Sequence, residues 1–319
     1  MALNVEASRP ARARQAVIFC CDRNYYPYAM FAAAQIAGRH PDRGFDICIA
    51  SLEAIEEPHS LSELAVRHCT IDAAHLFADF GLDDRRTAVT YLRLVLPDAF
   101  SEDYDRILYL DSDIYIQGGD LAALLALPLA ARPLAAVRDN KQWRTPSRRM
   151  VDFDRLGLPQ RPYFNSGVLL FDVPAFRAAN LLQEALRIGR SQGRQLVRHD
   201  QSLLNATMLG NWAELSPSWN WQYTWSSRLF AAMLGPNIIH FIGRCKPWCD
   251  PDNLLSPQFA RDLQIFLARH FPNHPPLPLG PGMRPDSLAM RRMLMKHLLS
   301  SGRLARYLER FPSDLTVGP

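Results

Sequence analysis

The sequence predicts an α/β domain around a mostly parallel central sheet, followed by a linker and a basic helical tail. Three observations carry this. Short apolar runs alternate with segments of helical spacing along most of the chain. The stretch FPNHPPLPLGPGMRPD, residues 271–286, breaks the pattern with proline and glycine. Beyond it, leucines and basic residues recur at helical spacing. The expected division is a body at 1–271, a linker at 272–286 and an amphipathic tail at 287–319.

Taken in order, AVIFCC (16–21) reads as a strand and YPYAMFAAAQIAGRH (26–40) as a helix ending at Pro41. FDICIAS (45–51) is a second strand. TAVTYLRLVLP (87–97) reads as one helix stopped by Pro97, and RILYLDSDIYI (106–116) as one strand. GGDLAALLAL (118–127) is a short helix with Asp120 as its N-cap. PLAAV (133–137) and YFNSGVLLFDV (163–173) are strands, and PAFRAANLLQEALRIGR (174–190) is one helix opened by Pro174. DQSLLNATML (200–209) is a helix and NIIHFIG (237–243) a late strand. In the tail, 288–311 is helical, with Leu304, Leu308 and Phe311 three to four residues apart and Gly302 as an interruption.

With 319 residues, 48% hydrophobic and 21% charged, the chain is ordinary for a globular protein with a sizeable core. The longest apolar run, 121–131, contains Pro128 and falls short of the roughly 18–20 residues that span a bilayer. The apolar run 16–21 is too short for a signal peptide core, so the expected location is cytoplasmic. Cys20, Cys21 and Cys48 lie in strand patterns and read as core residues. Cys245 and Cys249 are spaced C-x₃-C without a second pair, a weak zinc signal. The net charge of +4 is concentrated in the tail, where 284–311 holds seven basic residues and two acidic ones. No nucleic-acid partner is expected.

Two constellations carry chemistry. In RILYLDSDIYI, Asp111 and Asp113 interrupt an apolar run. An unpaired carboxylate out of water costs several kcal/mol, of order. On an extended chain the two would share a face, with Ser112 opposite. Like charges so placed need a cation or a shared proton, and hard divalent cations prefer oxygen ligands. In IIHFIGRCKPWCD, His240 ends a strand, Gly243 lets backbone approach an anion, and Lys246 supplies a point charge for phosphate.

YLDSDI, YFNSGVLLFDVPAFR, HDQSLLN and IHFIGRCKPW, in that order, resemble the family 8 retaining glycosyltransferases. The resemblance covers about residues 17–248 and implies a GT-A-type, Rossmann-like nucleotide-sugar-binding domain. It implies an Mn²⁺-dependent hexosyltransferase, with Mg²⁺ a weaker substitute, moving galactose or glucose from a UDP-hexose to a saccharide or glycolipid, as in lipopolysaccharide biosynthesis. Asp111, Asp113 and His240 become the metal ligands, and Gly243 and Lys246 hold the diphosphate. Asp22, Asn24 and Tyr25 in FCCDRNY fall in the nucleoside loop, although the family often has a second acidic residue where Arg23 stands. Arg93 in TYLRL reaches toward the donor, Ser112 joins the donor-binding set, and Asn165 and Asp200 fall where the family contacts the donor sugar. Gln201 lies beside the anomeric carbon.

Retention follows from the resemblance alone. The amide of Gln201 is a poor nucleophile, which favours same-face attack by the acceptor hydroxyl, with Asp200 as a transient nucleophile the alternative. Two rival readings are a haloacid-dehalogenase-like phosphatase, which normally has Thr or Val where Tyr115 stands, and a non-catalytic nucleotide-sugar-binding protein. The acceptor surface is expected in 138–162 and in WNWQYTW (219–225), whose rings either stack on sugar or pack in the core. The tail is expected either to lie on the inner face of a membrane or to pack on the body.

Overall fold

The computed structural model describes residues 3–82, 87–224, 227–250, 255–278 and 287–318. Trp225, most of the linker (279–286) and the tail residues Arg284 and Asp286 lie outside the described residues. The strands are β1 (Val5–Ala7), β2 (Gln15–Cys20), β3 (Asp46–Ser51), β4 (Arg67–Ile71), β5 (Arg106–Leu110), β6 (Ile114–Ile116), β7 (Leu134–Arg138), β8 (Phe164–Asp172), β9 (Ala213–Leu215), β10 (Trp221–Gln222), β11 (Ile238–His240) and β12 (Val317–Gly318). The helices are α1 (Tyr26–Arg39), α2 (Ala88–Tyr91), α3 (Leu96–Ala99), α4 (Leu121–Leu125), α5 (Asn140–Trp143), α6 (Val151–Arg155), α7 (Val173–Ala178), α8 (Leu181–Gln192), α9 (His199–Met208), α10 (Arg228–Leu234), α11 (Pro257–His270) and α12 (Ser287–Leu308).

Among the described residues, nine strands form one sheet in the order β1-β4-β3-β2-β5-β8-β7-β9-β12, and β10-β11-β6 form a small second sheet. Strands β4, β3, β2 and β5 pair in parallel, as do β7 and β9. β8 runs antiparallel to both β5 and β7, so β2–β5, β7 and β9 all point one way. Alternate residues face opposite layers. Val17, Phe19, Leu108 and Leu110 enter one core, and Ala16, Ile18, Ile107 and Tyr109 the other. A sheet covered on both faces explains why its strands read as continuous apolar runs. After β2 the chain builds outward through β3 and β4, then returns to place β5 on the other side of β2. Ligands of such sheets bind at the carboxyl ends of the strands beside this reversal.

Several elements differ from their sequence reading. RILYLDSDIYI is two strands in two sheets, β5 and β6, with Asp111–Asp113 in the turn between them. Residues 87–97 are broken into α2, a tight turn at Leu92–Leu94 and α3, with Pro97 in the opening turn of α3. Residues 174–190 are split into α7 and α8 by Asn180, which takes the left-handed conformation (φ 51°) that asparagine tolerates. Gly302 does not interrupt the tail; α12 runs straight through it. Asp120 caps α4 as expected, its carboxylate accepting the Ala123 N–H at 2.9 Å.

The C-terminal half of α12 is built into the body through Glu214. This buried carboxylate accepts two hydrogen bonds from Arg138 (2.9 and 2.6 Å), two from Arg310 (3.3 and 3.0 Å) and one from the Tyr307 hydroxyl (2.7 Å). Trp219 Nε1 donates to the Asp314 carbonyl at 2.7 Å, and β12 pairs with β9. Replacing Glu214 by Ala would leave Arg138 buried without its counter-charge. The expected loss in chemical denaturation is about 3–5 kcal/mol, and a loss below about 1 kcal/mol would show that Arg138 finds another partner.

Candidate active site

The turn between β5 and β6 is held at both ends by backbone. The Asp111 N–H donates to the Gly167 carbonyl (2.9 Å), and the Phe241 N–H donates to the Asp113 carbonyl (3.0 Å). That brings both aspartates onto His240 at the end of β11, whose Nε2 lies 3.2 Å from Asp113 Oδ1 and 3.6 Å from Asp111 Oδ2. One ligand atom from each of Asp111, Asp113 and His240 lies within 4.8 Å of the others. The aspartates therefore converge because the chain turns, not because they share a strand face. Gly167 makes room for them, since a Cβ there would stand 2.2 Å from His240 Cε1 and 2.9 Å from Asp111 Oδ2.

A chain of amides, oriented by backbone donors, fixes the state of His240. The Ser166 N–H and Asn165 Nδ2 both donate to Gln201 Oε1 (3.3 and 3.0 Å), so that atom is the oxygen. The Gly167 N–H and Asn220 Nδ2 donate to Asn165 Oδ1 (3.0 and 2.8 Å). Asn220 is then left with its oxygen facing His240 Nδ1 at 2.9 Å. Nδ1 therefore carries a proton, so in the neutral ring the lone pair sits on Nε2 and faces the two carboxylates. Asp113 Oδ1 is buried without a hydrogen-bond donor. Two carboxylate oxygens and an imidazole nitrogen, acceptors all, need a cation among them, and they suit a divalent metal. At its other end the chain closes where Gln201 Nε2 donates to Asp139 Oδ2 at 3.1 Å.

Arg93, in the turn after α2, ties this cluster to the sugar-site candidates. Its guanidinium lies 3.0 Å from Asp111 and 3.1 Å from Asp200, donates to the Ser166 carbonyl at 3.0 Å, and sits 4.5 Å over the Tyr109 ring. Burial pushes the Asp200 carboxyl above its usual range, against the opposing pull of Arg93. Burial also acts against the charge on Asp113, but the ammonium of Lys246 lies against it and that carboxyl is held well below the usual range. Lys246 donates to the Asp113 carboxylate and to the Phe241 carbonyl. It is thus seated beside the metal-site candidates, three residues after Gly243, which takes a positive φ of 88°.

A cleft of about 500 Å³ opens where β2 and β5 end, lined by Asp22, Asn24, Tyr25, Arg93 and Asp111–Asp113 among others. Asp22 Oδ1 accepts the N–H groups of Asn24 (3.0 Å) and Tyr25 (2.9 Å), shaping the entry to α1. The exposed Tyr25 packs edge-on to Trp248, which stacks on Tyr28 at 3.8 Å. Ser112 Oγ is buried there without a partner. Asn165, Asp200 and Gln201 form the adjoining network rather than the wall of this cleft. Trp219, Trp221 and Tyr223 are buried, so these rings of WNWQYTW pack in the core instead of facing sugar.

Sequence reading missed Asn220 and Asp139. Asn220 sits between two core tryptophans, where a buried amide gives no periodic signal, and Asp139 follows a strand end that looks like any other turn. Asn220→Ala should leave the fold intact yet lower Mn²⁺ affinity about 10–100-fold, because His240 loses the partner that orients it. Titration followed by electron paramagnetic resonance reads this directly, and an unchanged affinity would remove Asn220 from the site.

Comparison with known proteins agrees with this geometry. The family model described as glycosyl transferase family 8 matches residues 16–251. Lipopolysaccharide 1,3-galactosyltransferase of Salmonella typhimurium is 30% identical over 169 residues, 51% of this chain and 50% of the relative. Lipopolysaccharide 1,2-glucosyltransferase of Escherichia coli is 31% identical over 168 residues, 50% of this chain and 48% of the relative. The chain thus spans about half the length of these curated relatives. A crystal structure of the galactosyltransferase LgtC with donor and acceptor sugar analogs superposes with a TM-score of 0.63 at 20% identity, covering 87% of this chain and 99% of that one. That likeness shows a common fold. With the family model matching most of its length, the chain belongs to glycosyl transferase family 8.

Proposed function

We propose that the protein transfers galactose or glucose from a UDP-hexose to a hydroxyl of a saccharide or glycolipid, with retention and with Mn²⁺ bound by Asp111, Asp113 and His240. The observation that carries this is the convergence of those three groups on one point, bridged by Arg93 to Asp200 and by amides to Gln201. The names of the lipopolysaccharide galactosyl- and glucosyltransferases among its relatives support the donor and acceptor classes. Family membership displaces the phosphatase alternative.

When bound, the metal would neutralise charge on the diphosphate leaving group. Lys246 adds a second positive charge beside it, and the turn at Gly243 leaves backbone accessible to phosphate oxygens. Asp22, Asn24 and Tyr25 hold the nucleoside at the cleft mouth, with Ser112 offering an unused hydroxyl. Asn165 and Asp200 orient the sugar. Gln201, with Oε1 and Nε2 both engaged, is held rigid beside the anomeric carbon, where it supports same-face attack by the acceptor hydroxyl. UDP-hexose hydrolysis with Mn²⁺ present is the test. It should stop on chelation and fall at least about 100-fold in Asp113→Asn, the scale of losing one electrostatic contact in a transition state. UDP binding without turnover would favour the non-catalytic rival, and full activity in excess chelator would remove the metal.

The division into a catalytic body (1–271), a linker (272–286) and a tail (287–319) is proposed with one refinement. The end of α12 around Leu304 and Tyr307 belongs to the body, and the exposed face that runs to Leu299 is the membrane element. Met293 and His297 are buried, whereas Leu298 and Leu299 are 69% and 76% exposed, and Met233 of α10 is 80% exposed. No helix among the described residues is long and apolar enough to cross a membrane. Exposed leucines flanked by Arg291, Arg292 and Lys296 suit the inner face of an anionic membrane, each basic residue contributing about 1 kcal/mol. Leu298→Glu with Leu299→Glu should abolish sedimentation with anionic vesicles at low salt while sparing hydrolysis. Vesicle binding unaffected by both changes, or absent from the unaltered protein, would refute the docking face.

A further inference from the structure

Beyond α5 another cavity, of about 410 Å³, opens between the end of that helix and the last turns of α12. Four arginines line it: Arg144 just after α5, and Arg303, Arg306 and Arg310 on or just after α12. Charge counting singles this cavity out. Glu214, the carboxylate that meets Arg310, is already filled by Arg138, Arg310 and Tyr307. Among the described residues, no carboxylate lies within ion-pair distance of Arg144, Arg303 or Arg306. Arg306 Nε reaches only the Gly302 carbonyl of its own helix, at 3.4 Å. Arg144 lies 5.3 Å over the Phe230 ring, and its Nε is buried with no hydrogen-bond partner. Burial lowers its pKa, as for a guanidinium kept from water without a counter-ion. Buried donors in native structures are paired, so Arg144 Nε wants an acceptor, while the neighbouring Arg303 and Arg306 are exposed and free to join it.

The position of the cavity says what the partner is. Asp139, which holds Gln201, also caps α5 by accepting the Lys141 N–H at 3.0 Å. Trp143 Nε1 donates to the Arg138 carbonyl at 2.6 Å, fixing the helix against β7. Since α5 has only four residues, Arg144 follows the Asp139 cap by about one helical turn, ~6 Å of axis. A saccharide that offers a hydroxyl near Gln201 and runs along α5 would bring its far end to these arginines. Several uncommitted guanidiniums suit a dianion with three acceptor oxygens, and arginine binds phosphate in bidentate fashion.

We propose that this arginine cradle is a subsite for a phosphate group carried by the acceptor saccharide, so that the acceptor is a phosphorylated sugar. The proposal rests on the glycosyltransferase reading and names its acceptor class. The phosphate gives Arg144 Nε the acceptor it lacks and offsets the charge of Arg303 and Arg306.

The test uses the full chain saturated with UDP and Mn²⁺, which occupies the donor cleft and keeps the probe out of it. Calorimetric titrations with inorganic phosphate and with a hexose phosphate, at matched ionic strength, should show saturable binding. Arg303→Gln combined with Arg306→Gln, both at exposed positions, should weaken it about tenfold or more, and Arg144→Gln should do the same. No saturable binding, or binding unchanged in both variants, overturns the cradle. Binding to vesicles carrying phosphatidate but not to the hexose phosphate overturns the saccharide assignment in favour of a lipid headgroup. UDP affinity measured on the same samples keeps the two readings apart. Failure to bind UDP removes the donor assignment, whereas failure to bind phosphate with UDP bound removes only the cradle.

Discussion

Two carboxylates and the bare nitrogen of an imidazole occupy one buried corner, and most of the molecule is arranged so that they can. The repulsion among Asp111, Asp113 and His240 is offset from three sides: Arg93 on Asp111, Lys246 on Asp113, and the space between them that suits a divalent cation. Each of these groups comes from a different part of the chain. The fold acts as the device that brings a turn after β5, a glycine on β8 and the end of β11 to the same point.

The amide chain from Gln201 through Asn165 and Asn220 to His240 makes that corner rigid in a particular way. Each side chain in it has its orientation set by a neighbour whose own orientation is set by backbone. Acceptor lone pairs and donor hydrogens are therefore fixed before any ligand arrives. Such preorganisation is the usual source of electrostatic stabilisation in enzymes, because nothing has to reorient during reaction. It also links His240 to Gln201 mechanically. A change at the ring of His240 is felt, through the two amides of Asn220 and Asn165, at Gln201.

What the sequence disclosed depended on contrast. Asp111, Asp113 and His240 stood out because each is polar at the edge of an apolar run, but their grouping at one point came from the resemblance, since the turn that produces it reads as continuous strand. Arg93, Asp200 and Gln201 were legible only through resemblance, since a helical arginine or a helix-opening Asp-Gln is common in any protein. Asn220 was invisible because a buried amide among tryptophans has no pattern of its own; its role exists only through the three-dimensional neighbours that fix it. The helix breaks had the same origin. Asn180 leaves the helical region because the chain must turn onto the sheet, and the flanking residues keep good helical spacing on both sides. Gly302 gave the opposite error, for packing of Leu304 and Tyr307 outweighs the roughly 1 kcal/mol that a mid-helix glycine costs.

The last strand, two residues long, lies along β9 at the end of the nine-stranded sheet. An open β edge carries a row of unused N–H and C=O groups that can recruit a strand from another molecule. By covering β9 with a segment too short to serve as a template itself, the chain closes the sheet against self-association. Val317 and Gly318 therefore bear on colloidal behaviour: fraying there would expose β9 and favour aggregation even while the corner around Asp111 and His240, across β7 and β8, stayed intact.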